Sequence, residues 1–236
     1  MSDTDDLPAR MAGAPLTRKP LFWVAVSFVI ALLCWDTRPF YPLKLLVVFL
    51  HESGHALAAI LTGGSVHSIR IDAHERGVTM TSGGWRLAVL SGGYLGSTIL
   101  GALILWASWS REFGRYVLRL MAGLMGIAIL FVVGDLFTAG FCVVIGAALL
   151  AAGIKAPPKT QRAIGTFLGV TSCLYAVIDI KDDVLTFSGT ASFMGGATMS
   201  DAQQLAKEFW VPAPVWGLAW IGISLYVIYR VLREIA

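Results

Sequence analysis

The sequence predicts an all-α polytopic membrane protein of about six or seven transmembrane helices, with a small β-hairpin after the second helix. Two observations carry that expectation. Of 236 residues, 56% are hydrophobic and only 14% are charged, against roughly 25% charge in a soluble domain. The charges also cluster between apolar runs long enough to cross a hydrocarbon layer of about 30 Å. The formal net charge of +3 is spread along the chain without a Lys/Arg-rich run, so no nucleic-acid partner is expected. Cys34, Cys142 and Cys173 form no C-x-x-C pair and lie in apolar surroundings, which marks them as small core residues.

Residues 1–20 are polar, with Asp3, Asp5 and Asp6 ahead of Arg10, Arg18 and Lys19, and read as a flexible tail to a single membrane-embedded domain over 21–236. The first apolar stretch, 21–35, is followed by Asp-Thr-Arg-Pro rather than a small-residue cleavage site, so it reads as a short membrane helix and not a signal peptide. Further spans are expected over 42–61, 85–109, 117–133, 136–154, 164–178 and 214–229. Lys and Arg divide almost evenly between the two sides, and the orientation stays open. Between the second and third spans, the β-branched stretches 65–71 and 78–82, with Gly77 at the turn, predict the hairpin. Ahead of the last span, Ser200 and Gln203 form a capping box before Leu205 and Phe209, which predicts a short amphipathic helix on the membrane surface.

The second span carries His51-Glu52-Ser53-Gly54-His55. Histidines four apart on a helix present both imidazoles on one face, within reach of one ion, and Glu52 stands beside them as a base. Zinc suits imidazole nitrogen, and a catalytic zinc keeps a position open for water. Glu52 can take that water's proton and deliver it to a leaving amine. His51 follows Pro42 by nine residues, a depth of roughly 14 Å, near the middle of the bilayer. Ionisable groups are costly there, and metal ligation offsets part of the cost. His67 and His74 fall in the hairpin region and are expected at the surface.

A zinc held by two histidines needs a third protein ligand. Asp179 closes the sixth span, Asp182 and Asp183 follow it on the same helical face, and Asp135 sits between the fourth and fifth spans. All four remain candidates on spacing alone.

These residues resemble the site-2 proteases, in particular their B-like branch. The similarity runs through His51 to Ala58, Leu61-Thr62-Gly63-Gly64, Val66 to Ile69, Ser91 to Ser97, Tyr175 to Asp183, Ser200-Asp201-Ala202 and Trp216-Gly217. The resemblance implies an intramembrane zinc metalloprotease that cuts membrane-anchored proteins in or near a transmembrane helix. It implies zinc on His51, His55 and an aspartate from a later helix, with Glu52 as general base. Better-known members supply that aspartate from an Asp-Gly motif that this chain lacks; Asp179 is inferred to take the role, with Asp182 or Asp183 as alternatives. The hairpin offers a strand edge for an unwound substrate, and Val66, Ser68, Ile69 and Ile71 are expected to line it. Gly93, Ser97 and Gly101 form a small-residue stripe that lets another helix pack closely. The expected setting is multi-pass, in the cell membrane. The competing readings are an inactive scaffold that keeps the protease fold, and a metal-ion transporter.

Overall fold

The computed structural model describes residues 20–110, 112–180, 191–193 and 196–236; the tail expected over 1–20 lies outside them apart from Pro20. The chain is an all-α polytopic membrane protein. Helix α1 covers Pro20–Cys34, and a 3-10 turn at Arg38–Phe40 leads into α2, Tyr41–Leu61. Pro42 lies in the first turn of α2, where its missing N–H has no helical partner to lose. Strands β1 (Ser65–Ile71) and β2 (Gly77–Ser82) follow, then α3 (Arg86–Trp109), α4 (Val117–Phe131), α5 (Leu136–Lys155) and α6 (Pro158–Ile180). Two three-residue strands, β3 (Ala191–Phe193) and β4 (Gly196–Thr198), precede α7 (Asp201–Phe209) and α8 (Ala213–Ile235).

Among the described residues, five helical segments are long and apolar enough to cross a membrane: Arg38–Leu61 and those of α3, α5, α6 and α8. The other two apolar helices, α1 and α4, have 15 residues each. Helix α6 begins earlier than the apolar run suggested, because Pro158 starts a first turn that carries Lys159 and Arg162. Helix α4 ends before Val132, for a tertiary reason. The Ile69 N–H donates to the Val132 carbonyl at 2.6 Å, and the Gly134 N–H donates to the Ile69 carbonyl at 3.1 Å, so Val133 forms a parallel bridge with Ile69 of β1.

The hairpin folds back along α2. It leaves the α2 C-terminus at Gly64, and its tip reaches the other end, where the Tyr41 hydroxyl donates to the Ala73 carbonyl at 2.9 Å and Lys44 pairs with Glu75 at 3.2 Å. Non-helical backbone at such depth survives only where protein covers it. Residues 132–134 cover one edge of β1, and the Thr138 hydroxyl accepts from the Ile71 N–H at 2.8 Å. The turn differs from expectation: Gly77 pairs with Ile71 as the first residue of β2. Asp72 makes the turn instead, its carboxylate accepting from the His74 and Arg76 N–H groups at 2.8 and 3.1 Å.

Helix α3 is the central support, and its small residues are used on two sides. A Cβ at Gly54 of α2 would overlap the Gly92 carbonyl and lie 3.1 Å from the Gly96 Cα. On the other side, a Cβ at Gly101 would meet the Gly169 carbonyl of α6 at 2.9 Å, and the Ser172 hydroxyl donates to the Ser97 carbonyl at 2.9 Å. Lipid supplies no hydrophobic drive between helices, so this close approach and the hydrogen bonds it permits hold them together. Thr98 of α3 and Ser224 of α8 add another such bond, 2.8 Å between hydroxyls.

Candidate metal centre

His51, Glu52 and His55 are all buried, on the α2 face that meets α3 and the hairpin. One ligand atom from each lies within 4.8 Å of the others, a group that can hold a metal ion. The Val89 carbonyl lies 2.7 Å from Nδ1 of His55. A carbonyl only accepts, so Nδ1 carries the proton and the lone pair of neutral His55 is on Nε2. That Nε2 lies 3.1 Å from Nε2 of His51. Tyr94 meets the His51 ring edge-on, with centroids 4.9 Å apart, and is itself stacked on Trp220. Gly93 completes the wall: a Cβ there would overlap Nε2 of His51 and lie 2.5 Å from Nε2 of His55.

A carboxylate from outside the spans joins the two imidazoles. Oδ2 of Asp201 is 3.2 Å from Nε2 of His55 and 3.5 Å from Nε2 of His51. Asp201 is the first residue of α7, which Ser200 caps in the expected capping box. Ala202 and Leu205 anchor that helix among Leu90, Tyr94, Ile180 and Trp220. Three electron-pair donors converging at 3.1 to 3.5 Å are satisfied by a cation. Donors about 2.05 Å from a tetrahedral zinc stand roughly 3.3 Å apart, so this set fits such an ion.

Asp179 is also brought to His51, but on its other nitrogen: Oδ2 is 3.8 Å from Nδ1, on the side of the ring away from Nε2. Asp182 and Asp183 lie outside the described residues. Asp135 caps α5, accepting from the Thr138 N–H at 2.9 Å and the Thr138 hydroxyl at 2.6 Å. Spacing alone did not single out Asp201, which sits in a capping box and in no span. Its place within Ser200-Asp201-Ala202, one of the segments that carry the resemblance, was the available signal.

Glu52 faces the hairpin. The Thr79 hydroxyl lies 2.6 Å from its Oε2 and 3.0 Å from its backbone carbonyl, and Gly77 packs directly against its carboxylate. Sequence reasoning named neither as a site residue. Of the β1 residues expected to line a substrate, Ser68, Ile69 and Ile71 are buried, and Val66 packs against the same core as Ile69. The β1 edge is taken at Ile69 and Ile71, whereas no strand among the described residues pairs with the outer edge of β2. His67 bonds the Ser82 hydroxyl at 2.8 Å and His74 is exposed at the turn; neither joins the cluster.

Fold and site together define a polytopic helical membrane protein with a buried His-Glu-His group that can hold a metal. A family model described as Peptidase M50B-like matches residues 23–231, and the chain belongs to that peptidase family. No curated protein and no solved structure matches it.

Proposed function

We propose that this protein is a zinc-dependent endopeptidase that cleaves membrane-anchored proteins within or beside a transmembrane segment. The observation that carries the reading is the convergence of Nε2 of His51, Nε2 of His55 and Oδ2 of Asp201 at zinc-like spacing, with Glu52 alongside. His51, His55 and Asp201 would hold the metal, which would supply Lewis acidity toward water and the scissile carbonyl. Glu52 takes the proton of the attacking water and passes it to the departing amine. Asp179 faces the outer nitrogen of His51 at 3.8 Å, close enough for its charge to favour the Nδ1–H tautomer that leaves Nε2 free for the metal.

The substrate reaches the site from the lipid and must unwind there, because each carbonyl of an intact helix is engaged in the helical ladder. The outer edge of β2 can receive the extended segment through backbone hydrogen bonds. That edge takes over the role the sequence suggested for β1. The cell membrane is the setting in which such a multi-pass enzyme meets its substrates.

The test uses purified protein reconstituted with a panel of single-span peptides. Wild type binds about one zinc per chain and cleaves at least one peptide; Glu52→Gln keeps the zinc and loses cleavage. Undiminished cleavage by Glu52→Gln rejects the mechanism, and an inert, metal-free wild type leaves the scaffold reading in its place.

A further inference from the structure

We propose that β2 of the hairpin positions the catalytic base, with Thr79 as the positioning residue and Gly77 as the surface against which the carboxylate rests. The inference rests on the reading of Glu52 as general base, but concerns a different element and residues that the metal motif does not contain.

A carboxylate on a helix can sweep through several rotamers, and only some bring it to a reacting water. Two contacts from one strand restrict Glu52. The Thr79 hydroxyl has a single proton, and the shorter of its two contacts, 2.6 Å to Oε2, takes it. Two residues earlier, and so on the same face of the strand, Gly77 leaves no room for a side chain. A Cβ there would overlap Oε1 and lie 2.6 Å from Cγ and 2.7 Å from Cδ of Glu52. One oxygen is thus bonded, and the stem of the side chain is pressed by bare backbone.

The strand that does this is the one whose outer edge no described strand pairs with. A substrate segment added to that edge would brace β2 and thereby the contacts of Thr79 and Gly77 with Glu52. Substrate docking and alignment of the base then reside in one rigid piece, and preorganisation of this kind shows in kcat rather than in KM.

Kinetics on the best-cleaved peptide of the panel, with zinc content and thermal unfolding measured on the same samples, test the proposal. Thr79→Val preserves shape and removes the donor. It is expected to lower kcat by about tenfold to a hundredfold, the worth of a hydrogen bond to a charged group, with KM, zinc content and unfolding midpoint unchanged. Thr79→Ser restores most of the rate, and Gly77→Ala lowers kcat with zinc retained. A Thr79→Val kcat within about twofold of wild type overturns the proposal. So does a loss that follows zinc release or a lower unfolding midpoint, or one that serine does not restore. If Glu52→Gln itself still cleaves, the base assignment has failed; if it is inert while Thr79→Val keeps the wild-type kcat, only the role of β2 has failed.

Discussion

Each imidazole has two nitrogens, and the neighbours of one decide what the other can do. Val89 occupies Nδ1 of His55 and turns its Nε2 toward Nε2 of His51 and Oδ2 of Asp201. Asp179 stands at the opposite end of His51, 3.8 Å from Nδ1. The two aspartates are therefore expected to behave differently. Asp201→Ala removes a ligand and abolishes stoichiometric zinc binding, whereas Asp179→Ala retains zinc with affinity reduced by about ten- to a hundredfold, as for outer partners of metal-bound histidine. Zinc content by elemental analysis and chelator competition distinguishes them, and the reverse pattern would return Asp179 to the metal. His51, Glu52 and His55 were legible in the sequence because one helical turn sets their geometry. Asp201 was not, because it comes from another helix far along the chain and spacing says nothing about such a meeting.

Among the elements, α2 and α3 form the contact that builds the site. Gly54 sits inside the motif itself, one residue before His55, and its bare Cα is what allows α3 to come close enough for Val89 and Gly93 to meet the imidazoles. Gly54→Val forces the two backbones apart. Overpacking of this kind costs about 1 to 3 kcal/mol or more, so the unfolding midpoint in micelles and the zinc content should fall together; unchanged values for both would show that the helices do not depend on this approach. The small-residue stripe on α3 was legible, with the helix of the histidine pair as one candidate partner, but its division between two helices was not. Gly93 faces α2, while Gly101 faces α6, since a helix surrounded by others needs close approach on more than one face. The hairpin was legible from its β-branched residues, whereas its turn was misplaced: Asp72 makes the turn through its own hydrogen bonds, and Gly77 is a strand residue because Glu52 leaves no space for a Cβ.

For the whole molecule, the deciding feature is a hairpin packed along α2. Its β1 edge is covered by residues 132–134 and Thr138, and among the described residues no strand pairs with the outer edge of β2, the strand beside Glu52. A substrate helix can use that edge only after giving up its internal hydrogen bonds. Peptides whose spans carry a Gly or Pro near the middle, where a helix is weakened by about 1 and 3 kcal/mol respectively, are therefore expected to be cleaved faster than an uninterrupted Leu-rich span. Rates measured in liposomes across such a series check this, and equal rates would argue against unwinding as a requirement. The outward-facing Leu33, Leu61, Leu130, Phe131 and Leu136 fit a surface that lipid solvates.

The sequence by itself determined the solvent, the helices and the histidine pair with its glutamate. These follow from local rules: apolar runs of bilayer length, and a four-residue spacing that the helix converts into one face. Tertiary structure alone decided which carboxylate meets the imidazoles, which edge of the hairpin residues 132–134 cover and what the Glu52 carboxylate rests against. Those are contacts between elements distant along the chain, and no local period encodes them.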